Sequence, residues 1–518
     1  MRRARESRAG TVRWLHIGAV VALALVLRLY HLGEKNFWID EISTIQVAAQ
    51  SPADIIRNYR PAADVSHRDQ APLSFLIIHY FISPQHPEWT ARLPSAFFSL
   101  GGVIALYCAG RLLFPARTAL LGAALLASAP LDVWYAQEVR WYAQWTLWTT
   151  LSYLALVAAW KRGGISVWAA YVVCCALAIY TFVFSFLVMA CQAVTAYLLD
   201  RSGGQRRRFV ARALAAQVVA VVSATPVLWL IFHHLLTPTG TARPKTLAVL
   251  GYTLFTYAVG FSLGPTIGYL HTAVSPVQVV SAYPSVALVT AVFLPLLVLG
   301  LRRLRHDERG FAVVGPWAVG FPLLVLALTL CTNVVYQVRY TLAALPAFWL
   351  VVACGVESVP RGLRRALAGA ALVACCYWSL GNYYWNPAYG KEDVKSALAA
   401  TTRLDGDGSP ILAVGQVSDA VRYYADGRLV VRLDSCDVTP EGRDPLQAPR
   451  LRDHGGLWLI AGRDWDGQAT RCLQRLASSH IALQRQHFGG VDLWMLARRP
   501  ADPQSAYCES TRTSASDR

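Results

Sequence analysis

The sequence predicts an all-α polytopic membrane protein of about eleven transmembrane helices, closed by a small C-terminal extracytoplasmic α/β domain. Three observations carry this. Hydrophobic residues make up 55% of the chain and charged residues only 15%, where soluble domains carry about 25% charged residues. Apolar runs of about twenty residues, the length needed to cross a bilayer, recur along the first three quarters of the chain. Finally, the basic residues gather in every second connection between those runs. Taken as soluble, 518 residues would make roughly three or four domains, and this composition leaves too little polar surface to cover them.

In chain order the spans read as 14–30, 92–113, 118–135, 142–159, 165–181, 183–199, 209–232, 284–301, 311–330, 341–358 and 364–381. The opening MRRARESRAGTVR resembles the basic start of a signal peptide. Its apolar run contains Trp14 and ends in Arg28-Leu29-Tyr30 without a small-residue cleavage site, so it reads as an uncleaved first span. Orientation follows from the cations. Five Arg precede the first span, Arg111 and Arg117 flank the next basic joint, and Lys161-Arg162, RSGGQRRRFVAR, RRLRHDER and PRGLRR fill the others. The positive-inside rule makes these loops cytoplasmic. In the cell's inner or plasma membrane the N-terminus is then cytoplasmic, and everything after residue 381 is outside. Residues 72–82 are too short to span, and 247–263 would invert the later loops. Both read as helices at the outer interface, a pair of extra spans being the alternative for the second.

The tail has a different character. KEDVKSALAATT and SDAVRYYA read as helices, and ILAVG, RLVVRL, LWLIAG and VDLWMLA as strands, giving an α/β domain over 382–499 after a membrane module over 1–381. Residues 500–518, rich in Ser, Thr and Asp, read as a disordered tail. From residue 382 onward the chain holds 17 basic and 17 acidic residues. The net charge of +17 therefore belongs to the membrane part as a topology signal, and a nucleic-acid partner loses its support. Eight of the eleven Cys lie in apolar runs, as small buried hydrophobes do. Cys436 and Cys472 can pair if the tail lies in an oxidising compartment, which leaves Cys508 over. His454, His480 and His487 show no metal-ligand spacing.

The chemistry-bearing residues concentrate on the outer side. Loop 31–91 contains FWIDEIS, with Asp40 and Glu41 close to the first span, and then Asp69 in SHRDQAPLSF. Glu138 and Arg140 follow in YAQEVRWYAQ. Carboxylates this near a bilayer are costly unless they pair or act. The plain readings are a helix cap for Asp40-Glu41 and a local ion pair for Glu138 and Arg140. Short connections would let the loops carrying these groups converge on one outer cavity.

FWIDEIS, then D-x-x-P-L at Asp69–Leu73, then ARLPSAFFSL, then YAQEVRWYAQ resemble the GT-C glycosyltransferases, the group that includes protein O-mannosyltransferases and aminoarabinose transferases. The likeness runs over about residues 14–160, with VRYTLAALPAF near 338–348 similar to a late helix of the family. One departure is the loop motif: relatives often have D-x-H-P-P-L where this chain has Asp69-Gln70-Ala71-Pro72-Leu73, without the histidine. The resemblance implies transfer of a sugar from a polyprenyl-phosphate lipid to a hydroxyl acceptor on the outer face. Asp40 takes the position of the family's catalytic acid–base, with Glu41 beside it. A carboxylate within reach of an acceptor hydroxyl can take its proton as the oxygen attacks, and the departing lipid phosphate needs fixed cations. Arg140 and Arg339 are the favoured cations, with Lys245 or Arg243 a third. Asp69, Glu138, Tyr142 and Tyr340 complete the substrate-binding set.

The family likeness implies inversion, whereas a retaining route needs a second carboxylate about 5 Å from the first, a place Asp69 can fill. No cofactor is required by the sequence; Asp40, Glu41 and Asp69 offer oxygen ligands to a divalent metal. The partners expected are the lipid-linked donor, a protein, lipid or polysaccharide acceptor, and the bilayer. The competing readings are a transporter or flippase for such lipids and a glycan-binding membrane protein of envelope polysaccharide assembly.

Overall fold

The computed structural model describes residues 2–57, 72–203, 208–228, 247–266, 275–332, 334–405, 408–433, 454–462 and 467–499, with 269, 436 and 446 singly, and side chains from residue 14 onward. The chain divides into two units. One comprises residues up to Glu34 together with Ser43–Tyr389. The other joins the short segment Lys35–Ile42 to everything from Gly390 onward. The segment carrying Asp40 and Glu41 thus groups with the C-terminal residues, 350 positions later in sequence, rather than with the helices that flank it.

The first unit is helical. Its elements are α1 Arg2–Leu29, α2 Ile39–Ala48 (which begins in the short segment), α3 Pro52–Arg57, α4 Pro72–His79, α5 Pro87–Leu113, α6 Ala116–Ala127, α7 Pro130–Ala136, α8 Tyr142–Arg162, α9 Ile165–Ile179, α10 Ser185–Gly203 and α11 Arg208–Ser223. There follow α12 Ala248–Val259, α13 Pro276–Ala282, α14 Pro284–Arg305, α15 Glu308–Gly315, α16 Phe321–Cys331, α17 Leu345–Ser358 and α18 Leu363–Trp385. Every span expected from the sequence meets helical structure. Among the described residues, four helical stretches are long and apolar enough to cross a membrane: Pro87–Leu113, Pro284–Arg305, Glu308–Cys331 and Val338–Ser358. The bent pair α6–α7 makes a fifth if it is one span. The others fall short in length or apolarity.

The breaks have local causes. Pro130 disfavours helix at the residue before it, and α7 leaves α6 at 56°. Between α15 and α16 the chain takes one π turn, Pro316–Gly320, where Pro316 and Pro322 withhold backbone donors from the regular ladder. Val338–Ala344 is a 3-10 turn leading into α17. The stretch 247–263, expected at the outer interface, packs one face against the bundle and leaves Leu247 and Leu254 exposed. Tyr257 of α12 is buried, its hydroxyl donates to the Thr341 carbonyl at 2.5 Å, and Gly260 lies against Pro130. The polar side chains Thr253 and Tyr257 are satisfied internally, Thr253 pairing with the Tyr336 hydroxyl at 2.8 Å.

Packing is closest where α14 crosses α17. A methyl group on Gly300 would strike the Val351 carbonyl, and one on Gly355 the Leu296 carbonyl. Small residues allow this approach, which is how apolar helices associate where lipid removes the hydrophobic drive between them. Helix α17 is buried from Leu345 to Val356, whereas α14 exposes Leu288, Leu294 and Val298, the outward apolar face of a membrane helix. Several polar groups inside the bundle pair with one another. Tyr171 donates to Gln192 at 2.9 Å, Gln192 to Ser152 at 2.6 Å, and Gln217 to the Tyr171 hydroxyl at 2.9 Å, tying α8, α9, α10 and α11 together.

The second unit is a five-stranded mixed sheet with helices. Its elements are α19 Val394–Asp405, β1 Ile411–Val414, α20 Ser418–Tyr424, β2 Val430–Leu433, β3 Gly456–Gly462, α21 Gln468–Leu476, β4 His480–Phe488 and β5 Val491–Arg498. The strand order is β2-β1-β3-β5-β4. β1 pairs in parallel with β2 and β3, and β5 runs antiparallel to β3 and β4. β1 and β3 are continuous apolar runs because both faces are covered. In α19 the buried residues Val394, Ala397, Leu398 and Thr401 recur at one-turn spacing, forming the stripe laid on the sheet. The sequence did not announce β4, an edge strand exposed along most of HIALQRQHF. Cys436 and Cys472 form a disulfide with Cα atoms 5.2 Å apart, within the ordinary range, and both are fully buried in the core. Cys508 and residues 500–518 lie outside the described residues.

Candidate functional site

In the helical unit, the turn between α7 and α8 presents Glu138 and Arg140, and the 3-10 turn before α17 presents Arg339 and Tyr340. Both ends of α7 are anchored. The fully buried Arg28, at the end of α1, meets Asp132 at 2.5 Å and Ser99 at 2.6 Å, and also donates to the Ala127 carbonyl at 2.9 Å. At the other end, Gln137 donates to the carbonyls of Arg28 at 3.0 Å and Tyr30 at 2.8 Å, and accepts from the Tyr383 hydroxyl at 2.9 Å. With its backbone held so, the turn has little freedom. The Trp134 indole donates to Glu138 at 2.8 Å, and Arg140 donates to Thr44 at 3.0 Å. Glu138 and Arg140 are buried, and charges in such a place need partners of this kind.

The expected residues of this unit are joined by aromatic rings. The Arg140 guanidinium lies 5.8 Å from the Tyr142 ring. Tyr142 is 4.4 Å from Trp141, Trp141 stacks on Phe182 at 3.8 Å, and Phe182 is 5.5 Å from Tyr340. Arg339 closes the series 5.8 Å from the Tyr340 ring. Tyr135, 4.5 Å from Tyr142, lies within electrostatic reach of both Glu138 and Arg339. The result is a ladder of aromatic faces with a guanidinium at each end. The 3-10 turn is fixed from behind: the Trp317 indole, stacked on Tyr153, donates to the Ala343 carbonyl at 2.5 Å, while Tyr257 holds Thr341.

Asp40 and Glu41 occupy the first turn of α2, where acidic side chains suit the positive end of the helix dipole. Their environments differ. Glu41 is fully buried and forms an ion pair with Lys391 at 3.0 Å, the lysine side chain itself only 5% exposed. It also accepts from the Trp38 N–H at 3.4 Å, the carboxylate half of a capping box. Asp40 is partly exposed. The rest of the segment is held in the same way. Asn36 donates to Asp393 at 2.9 Å, the Phe37 N–H donates to the Tyr424 hydroxyl at 2.8 Å, Phe37 packs edge-on to Tyr423, and the Lys391 ammonium lies 5.8 Å from the Trp38 ring.

Asp69, Lys245 and Arg243 lie outside the described residues. Among the described residues, no three His, Cys, Asp or Glu side chains gather as a metal site would require.

The comparisons add the relatives. In fold, the chain is similar to the crystal structure of ArnT from Cupriavidus metallidurans, in the apo state, with a TM-score of 0.58 at 12% identity, covering 94% of this chain and 98% of that one. This is a GT-C fold. The same ArnT bound to undecaprenyl phosphate matches with a TM-score of 0.55 at 13% identity, over 92% of this chain and 97% of that one. The Archaeoglobus fulgidus oligosaccharyltransferase tethered to an acceptor peptide matches with 0.50 at 12% identity, over 94% and 74%. Residues 69–232 match the dolichyl-phosphate-mannose-protein mannosyltransferase family, a stretch that holds Glu138, Arg140 and Tyr142. No curated protein sequence matches the chain.

Within the GT-C bundle, motif reading found Glu138, Arg140 and Arg339 because each sits in a short, aromatic-rich run. It missed Asp132, which stands alone among apolar residues, and Lys391, Asp393 and Tyr424, which the sequence separates from Asp40 by most of the GT-C helices.

Proposed function

We propose that this GT-C protein is a membrane glycosyltransferase that moves a sugar from a polyprenyl-phosphate donor to a hydroxyl acceptor on the extracytoplasmic side. The aromatic ladder between Arg140 and Arg339 carries the reading. A lipid phosphate leaving C1 of the sugar gathers negative charge, and buried or half-buried guanidiniums stabilise it more than water can. The half-buried ring of Tyr340, beside Arg339, offers an apolar face of the kind that suits a prenyl chain or the C–H face of a sugar ring. Binding of undecaprenyl phosphate by ArnT and the tethered peptide of the oligosaccharyltransferase are in keeping with such a donor and with a protein as one acceptor class.

In this reading Asp40 is the general base. It takes the acceptor hydroxyl proton as the oxygen attacks C1, the C1–O bond to phosphate breaks on the opposite face, and the electron pair leaves with the phosphate. The anomeric centre inverts, and no sugar–enzyme bond forms. Glu41, committed to Lys391, orders the segment rather than reacting. The Cys436–Cys472 disulfide favours an oxidising compartment for the C-terminal unit, which agrees with the positive-inside orientation.

The test is transfer in liposomes from a panel of polyprenyl-phosphate sugars. Asp40→Asn should lower kcat by roughly 10²–10⁴-fold, the usual worth of a positioned base, while expression and donor-lipid binding persist. Undiminished transfer in that variant overturns the assignment of the base.

A further inference from the structure

The segment Lys35–Ile42 makes its contacts with a part of the chain to which no role has been attached. Asn36, Phe37, Trp38 and Glu41 flank Asp40 on both sides. Their partners are Asp393, Tyr424, Tyr423 and Lys391, all from the α/β unit. These anchors are specific in kind. The backbone N–H of Phe37 meets a side-chain hydroxyl rather than a neighbouring strand. Asp393 serves two donors, the Asn36 amide and the Ser396 N–H at 3.1 Å, the latter in the opening turn of α19. Its own N–H donates to the Gly489 carbonyl at 2.7 Å, in the β4–β5 turn. The Asp40 segment is thereby coupled to both the helix and the sheet of that unit.

From this we infer that the C-terminal α/β unit is part of the catalytic apparatus, and that Lys391, Asp393 and Tyr424 are positioning residues for Asp40. This rests on Asp40 being the base. A base must stand within hydrogen-bond reach of the acceptor hydroxyl, and displacement by about 1 Å can cost on the order of 100-fold in rate. Lys391 contributes most. Removing its ammonium leaves the buried Glu41 carboxylate without its ion pair, a state that is strongly disfavoured, so the first turn of α2 must rearrange and carry Asp40 with it.

The experiment uses the full-length protein in liposomes, with purified polyprenyl-phosphate sugar as donor. Lys391→Met and Tyr424→Phe should each lower kcat on the order of 10- to 100-fold while the donor KM changes less than about threefold. Lys391→Arg, which keeps the cation, should recover most of the rate. Exchanging the charges, with Glu41→Lys and Lys391→Glu together, should give more activity than either single change. Thermal melting and retention of the Cys436–Cys472 disulfide show whether each variant is folded. Tyr424→Phe removes one oxygen atom and keeps the ring, so it remains informative should Lys391→Met fail to fold. Wild-type kcat in a folded Lys391→Met or Tyr424→Phe protein overturns the inference, as does a fall in kcat with no recovery in Lys391→Arg. Asp40→Asn separates the two ideas. If it is inactive while the anchor variants are normal, only the positioning role is lost. If it is fully active, the base assignment itself falls.

Discussion

Arg28 and Asp132 show what a charge must have around it inside this bundle. Arg28 is fully buried, and its guanidinium is met by Asp132, Ser99 and the carbonyls of Ala24 and Ala127. Breaking one side of such a pair leaves the other charge stranded, which costs about 3–5 kcal/mol. Arg28→Leu should therefore lower the melting temperature of the detergent-solubilised protein sharply, and Arg28→Leu with Asp132→Leu should lower it less than Arg28→Leu alone. The reverse order would mean that the pair is not what holds the end of α7. The carboxylates of the α2 turn give another prediction. With Glu41 neutralised by Lys391, chelation of divalent cations should leave the transfer rate within about twofold, whereas a metal bound by carboxylates of that turn would be stripped and activity lost. A rate that collapses in chelator and returns with Mg²⁺ or Mn²⁺ would refute this.

At the scale of elements, the crossing of α14 over α17 depends on two glycines. At either position a methyl group would meet a backbone carbonyl of the other helix, and backbone cannot turn aside as a side chain can. Gly300→Ala and Gly355→Ala should each destabilise the bundle by about 1–3 kcal/mol, as overpacking does, seen as an earlier melt; unchanged melting would show that the helices separate freely. Elements were also where the sequence was most informative. Apolar length marked the helices, and β1 and β3 stood out as unbroken apolar runs. The 3-10 turn at Val338–Ala344 and the strand β4 were not marked. The first is held by Trp317 and Tyr257, residues distant in sequence whose donors replace a regular ladder. The second is an edge whose exposed Gln, Arg and His residues follow no buried face. The same distinction governs the site. Glu138, Arg140 and Arg339 were readable from local motifs, while the ion pair that fixes Glu41 depends on Lys391, 350 residues away.

At the scale of the whole molecule, orientation is the property most open to test. In the orientation we propose, the basic connections 201–212, 302–309 and 360–365 lie in the cytoplasm and the disulfide-bonded unit on the other side. Reporter enzymes that act only outside the cytoplasm should be active when fused after residue 499 and silent when fused within 302–309. Activity at both places would break the alternating scheme. Reduction should also matter, because the disulfide closes a separation of 36 residues, for which loop-closure entropy suggests about 3–4 kcal/mol. The α/β unit should then unfold earlier in reductant.

The division of the chain also has a consequence in time. Ribosomes add about 5–20 residues per second. Glu41 and Lys391 are 350 residues apart, so the segment around Asp40 waits roughly 20–70 s after its own synthesis before its first anchor exists. Through that interval the helices of the bundle are being made while the segment around Asp40 still lacks these anchors. A chain released before Gly390 would hold the described helices of the first unit and lack Lys391, Asp393 and Tyr424. With Asp40 as the proposed base, synthesis of the residues that anchor it thus acts as a licence for transfer.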